Sequence, residues 1–128
     1  MNAPDNRHPA VMFEIMARDQ AAMRRFYSHV FGWRYREGRE GFAYVDFPLA
    51  TRPLLGGIGQ SQTGVPGMAP GHVFYLRVDD LDATIAHASM AGGSVLMSPA
   101  SVDGYRFAMI LDPEGNTIGL VEPFTQIE

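Results

Sequence analysis

Apolar residues first gather in Val11-Met12-Phe13-Glu14-Ile15-Met16-Ala17, a run broken by a single carboxylate, which reads as a largely buried strand. Asp19 follows as a helix N-cap, able to accept from backbone N–H groups two or three residues further on. Met23, Phe26, Val30 and Phe31 then recur on one side of a helical wheel, predicting a helix with that stripe turned inward. Arg24, Arg25, Ser28 and His29 fill the solvated face, and Gly32 stops the helix. Trp33 to Arg36 and Phe42 to Phe47 read as a hairpin around a polar, glycine-bearing loop. Pro48 to Pro53 interrupts, and Leu54 to Gly59 reads as a short strand weakened by glycine.

The same order then returns sixty residues on. His72 to Val78 is a strand, and Asp79 or Asp80 caps a helix carrying Leu81, Ile85 and Ala88 inward. Gly92-Gly93 ends that helix. Ser94 to Met97, Tyr105 to Leu111 and Thr117 to Val121 are the remaining strands, the last two joined by the turn Asp112-Pro113-Glu114-Gly115-Asn116. Each half is therefore βαβββ, and the fold class is α+β with two pseudo-symmetric modules. The expected organisation is a single domain: a flexible tail over residues 1–10, a first module over 11–60, a Gly/Pro/Ser-rich linker over 61–71 and a second module over 72–123.

Composition narrows the chemistry. At 128 residues the chain is long enough for one sound core. Its net charge of −4 gives no support to nucleic-acid binding. No apolar run is long enough to span a bilayer, and the first residues lack a signal-peptide pattern, so a cytoplasmic protein is expected. The absence of cysteine removes disulfides, thiolate metal sites and thiol nucleophiles.

Three pieces resemble the vicinal oxygen chelate superfamily, the glyoxalase, bleomycin-resistance and extradiol-dioxygenase group. They are Asp19…Phe26-Tyr27…Phe31-Gly32-Trp33, then Val78-Asp79-Asp80-Leu81-Asp82…Ala91-Gly92-Gly93, then Asp112-Pro113-Glu114-Gly115-Asn116. The closing run from Asp112 to Leu120 is most similar to small bacterial proteins called lactoylglutathione-lyase-related. The resemblance implies a homodimer whose paired modules curl around a cup-shaped cavity.

It also implies four strand positions for metal ligands. Counted from the capping aspartates and the turn glycine, these fall on Met12, on the strand from Leu54 to Gly59, on Val73 and on Gly119. A thioether, a glycine-rich strand, a valine and a glycine make no site for a divalent ion. No cofactor is expected. A divalent metal enters only if His72 turns into the cavity through a one-residue bulge.

Strand alternation sets Glu14 and Met16 on the face of Met12, and Tyr75 and Arg77 on that of Val73. Met12, Glu14, Met16, Val73, Tyr75, Arg77 and Gly119 are thus the candidate ligand-binding set. Met12, Met16 and Tyr75 equally suit core filling. Glu14 is costly to bury alone, and pseudo-symmetry makes Arg77 its expected partner. No nucleophile–base–orienter set can be assembled. The expectation is a protein that binds a small organic molecule without the metal. The alternative is a lyase or isomerase using Glu14 as general base, with Tyr75 or Arg77 holding the enolate and a metal recruited through His72. A purely structural module is the third reading.

Overall fold

A computed structural model describes residues 8–48 and 54–122. Of the expected tail over 1–10, residues 1–7 lie outside the described residues, as do positions 49–53 of the interruption and the module end at 123. Two compact units divide the rest, one over 12–74 and the other over 75–122 together with 8–11.

In the first half, β1 (Ala10–Ala17) leads into α1 (Gln20–Phe31), then β2 (Tyr35–Glu37), β3 (Ala43–Val45) and β4 (Leu55–Gln60). The strands lie in the order β2-β3-β4-β1, with β4 parallel to β1 and antiparallel to β3. In the second half, β5 (Gly71–Arg77) leads into α2 (Leu81–Met90), then β6 (Ser94–Val102), β7 (Tyr105–Leu111) and β8 (Thr117–Val121). Here the order is β5-β8-β7-β6, with β8 parallel to β5. Each half is thus the expected βαβββ unit, first and last strands side by side.

Both caps form as the sequence predicts. Asp19 accepts from the Ala22 N–H at 3.0 Å, and Gly32 closes α1 in the left-handed conformation at φ 72°. The second cap is Asp80 rather than Asp79, accepting from Ala83 N–H at 3.0 Å. The Glu122 carboxylate supports the same helix start, accepting from the Leu81 N–H while pairing with Arg106 at 3.2 Å.

The helices seal one face of each sheet. Ile15, Ala17 and Ile58 form one small core, covered by Phe13, Met23, Tyr27, Trp33 and Tyr35. Val78, Leu81, Ala108, Ile110 and Leu120 form the other, covered by Leu76, Ile85, Ala88 and Ile118. Leu81, Ile85 and Ala88 therefore face inward as expected.

On α1 the inward stripe differs from the expected one. Met23 and Tyr27 pack on the sheet, while Phe26, Val30 and Phe31 are 51%, 52% and 61% exposed. The helix carries more apolar surface than the narrow β2-β3-β4-β1 sheet covers. A second difference lies in β6, which runs on to Val102 through Pro99. It is the last strand of its order, and its pairing with β7 shifts register between Met97 and Ala100, so a missing N–H is tolerated there.

The β7–β8 hairpin closes as predicted, with Gly115 at φ 87°. The Asp112 carboxylate accepts from the Asn116 side chain and from the Asn116 and Glu114 backbone N–H groups, each at 2.9 Å. These bonds, that of the Asn116 side chain foremost, hold its pKa below the ordinary 3.8. The turn's contribution is therefore complete above the unfolded-state value and disappears as pH falls through the folded one. An NMR titration should place the Asp112 pKa below 3.8 in the folded protein, and Asn116→Ala should raise it.

Candidate functional site

By strand alternation, the residues of the expected ligand-binding set fall on the strand faces turned away from the helices, in each half of the chain separately. In the first unit, alternation places Phe13, Ile15 and Ala17 under α1 and so puts Met12, Glu14 and Met16 on the opposite face. Met12 and Met16 are 2% and 4% exposed, whereas Glu14 is half-buried. Glu14 stands opposite Gly57 in the parallel β1–β4 register, and Met16 opposite Gly59. Tyr44, also opposite Gly57 across the β3–β4 pair, is buried, with Phe42 edge-on to its ring at 4.8 Å and the Arg36 guanidinium 4.8 Å above it.

In the second half of the chain, Leu76 and Val78 lie under α2, so Tyr75 and Arg77 face away, with Val73 on the same strand alternation. Tyr75 is 1% exposed and stands opposite Gly119. Its ring lies edge-on to Phe107 at 6.2 Å, and Tyr105, also buried, packs on Phe107 at 6.0 Å. Arg77 is exposed, and its backbone is tied to the chain start. Its N–H donates to the Pro9 carbonyl at 2.9 Å, and its carbonyl accepts from His8 Nδ1 at 2.9 Å. His72 is exposed and shares the alternation of Leu76, the helix-side residue of the same strand.

Met12, Met16 and Tyr75 are thus fully packed side chains in this conformation, and Glu14 and Val73 are the partly accessible members of the set.

The expected metal positions bring no ligand set together. Among the described residues no group of three His, Asp or Glu side chains is close enough to hold a metal ion. The space is also taken. A Cβ on Gly119 would run into the Tyr75 ring. On β4, a Cβ at Gly59 would lie 2.8 Å from the Met16 sulfur, and one at Gly57 would lie 2.6 Å from the Phe42 ring and closer still to the Ala43 carbonyl. Gln60, the last residue of β4, is engaged elsewhere. Its Oε1 accepts from the Gln20 N–H at 3.1 Å, and its Nε2 donates to the Arg18 carbonyl at 2.6 Å. The donor chemistry does not fit a divalent cation.

The sequence marks β4 only as a strand thinned by glycine. That each glycine faces a large β1 side chain becomes visible once the register is known. Trp33, directly after α1, seals helix to sheet: it stacks on Tyr27 at 4.7 Å and packs on the Ile15–Ile58 core.

Two βαβββ units of this topology define a vicinal oxygen chelate fold. Residues 9–120 match the model of the Glyoxalase/Bleomycin resistance protein/Dioxygenase superfamily, and the chain belongs to that family. It is 32% identical over 111 residues to "Putative glyoxylase CFP32" of Mycobacterium tuberculosis, a match covering 84% of this chain and 42% of that protein. It is 31% identical over 123 residues to the anthracycline biosynthesis protein DnrV of Streptomyces peucetius, covering 80% of this chain and 42% of that one. The chain therefore spans about two fifths of the length of these relatives. In fold it is similar to the methylmalonyl-CoA epimerase of Mycobacterium tuberculosis, with a TM-score of 0.63 at 18% identity over 91% of this chain and 87% of that one. Among the described residues no helix is long and apolar enough to cross a membrane.

If the glycine at 119 exists to receive the Tyr75 ring, Gly119→Ala should lower stability by about 1–3 kcal/mol in a denaturant melt, the usual cost of overpacking. The same substitution should cost less when Tyr75 is first shortened to Leu, a coupling that a double-mutant cycle reads directly.

Proposed function

We propose that this chain is a small-molecule-binding member of the superfamily that works without a divalent metal. One observation carries the reading: the strand positions where the superfamily resemblance implies ligands hold Met12, Val73, Gly119 and the glycines of β4. At Gly57, Gly59 and Gly119 the space for a donor side chain is already filled by Phe42, Met16 and Tyr75. Within the unit 12–74 the half-buried Glu14 carboxylate shares its face with the apolar Met12, Met16 and Tyr44, and few polar groups on an apolar face is the usual composition of a site for a small organic ligand. Antibiotic-sequestering superfamily members act by binding alone, so the role needs no catalytic set. An anthracycline is a suitable fluorescent probe, since one relative is named for anthracycline biosynthesis.

The chain purified with Zn2+, Mn2+ or Fe2+ present and then dialysed should hold far less than one metal per chain by elemental analysis. Titration with the anthracycline should saturate equally with and without EDTA. A tightly held stoichiometric ion, or binding abolished by EDTA, would overturn the reading.

The protein acts as a homodimer, its second copy seated on the outer face of α1. Phe26, Val30 and Phe31 leave an apolar patch there that nothing in the described chain covers, continuous with the stacked rings of Tyr27 and Trp33. The two relatives above are long enough to carry a second module pair of this size in one chain, which a second copy would supply here. Sedimentation should show a dimer for the natural chain and a monomer for Phe31→Glu, with unchanged circular dichroism because the side chain is 61% exposed. A natural chain that sediments as a monomer refutes the pairing.

A further inference from the structure

β1 and β4 run parallel and side by side, and beyond their carboxyl ends the chain diverges. After Ala17 it turns through Arg18 and Asp19 into α1, and after Gln60 it turns into the loop 61–70. Between the diverging segments lies a cleft of about 640 Å³, lined by Arg18, Gln60 and the loop from Ser61 to Pro70. That volume falls within the range of small-molecule sites, roughly 300–1,000 Å³. It lies wholly inside the unit 12–74.

The walls are set by hydrogen bonds. The Gln60 amide bridges the two sides, donating to the Arg18 carbonyl at 2.6 Å and accepting from the Gln20 N–H at 3.1 Å. The Ser61 N–H donates to the Ala17 carbonyl at 2.8 Å, so the loop starts anchored to the end of β1. Further along, the Gln62 N–H donates to the Met68 carbonyl at 2.9 Å and the Met68 N–H to the Val65 carbonyl at 3.0 Å. Gly64 and Gly67, at φ 77° and 81°, permit the tight turns between. The loop is held by its own bonds before any ligand arrives.

Its chemistry is one-sided. The chain carries 14 acidic residues against 10 basic ones, yet no carboxylate lines the cleft and Arg18 is its single charge. Among the described residues the Arg18 guanidinium makes no ion pair. Ser61, Gln62 and Thr63 bring side-chain donors that no other described residue engages, and Val65, 43% exposed, supplies an apolar wall.

We infer that this cleft binds a small organic oxyanion, a carboxylate or a phosphate monoester, with the guanidinium of Arg18 holding the anion and Val65 covering the apolar part. A planar guanidinium offers paired donors to two oxygens of one such group. Gln60 is a positioning residue, fixing the backbone that carries Arg18. The site is independent of whether the chain uses a metal.

The test titrates the full-length protein with benzoate, phenyl phosphate and benzyl alcohol while recording amide NMR shifts. Saturable shifts on residues 60–70 should appear with at least one of the two anions and not with the neutral alcohol. Arg18→Gln, an exposed position whose side chain bonds no other described residue, should weaken anion binding at least tenfold and leave the spectrum otherwise folded. Saturation by benzoate alone assigns a carboxylate, and by phenyl phosphate alone a phosphate. Unchanged affinity in Arg18→Gln, equal binding of the alcohol, or shifts that spare both Arg18 and the loop would overturn the inference.

Discussion

In each half of the chain the first and last strands are parallel neighbours, and the last strand gives up side chains so that the first can keep large ones. Phe13 faces Gly56, Glu14 faces Gly57, Met16 faces Gly59, and Tyr75 faces Gly119. Phe13 spreads over its glycine on the helix side, while Met16 and Tyr75 spread over theirs on the other. This exchange sets what either face can offer. A sheet whose last strand carries glycine beside the first can bury a phenol or a thioether flat against backbone, but it cannot also present a donor from those positions.

The functional reading follows from the same exchange. A metal centre on this fold requires side chains converging from both parallel neighbours. In this chain Met16 and Tyr75 instead lie against the bare backbone of Gly59 and Gly119, each in its own unit, and Glu14 is half-buried. Superfamily membership does not choose among the activities the fold supports, whereas the chemistry of individual positions narrows them.

Much of this architecture is legible in the sequence because local signals agree with the fold. Asp19 and Gly32 bracket α1, and Asp112, Gly115 and Asn116 close the last hairpin through bonds within five residues of one another. Alternation alone separates Met12, Glu14 and Met16 from Phe13 and Ile15. What the sequence does not reveal depends on distant partners. The exposure of Phe26, Val30 and Phe31 reflects how little sheet lies beneath α1, which no helical wheel contains. Pro99 reads as a strand breaker until its strand proves to be the last in its order. The match of glycines to large side chains needs the parallel register, and the cleft beside Arg18 arises from a loop folding back, so neither leaves a motif.

The packing of Tyr75 against Gly119 also shapes how this chain can change over generations. A single substitution at 119 that introduces a carboxylate meets the ring before it meets any ion. Shortening Tyr75 first removes packing and brings no new chemistry in return. Either first step carries a penalty, so a path toward a donor at 119 crosses a less stable intermediate whichever order it takes. The ring and the missing side chain thus hold each other in place, since neither changes alone without loss of packing.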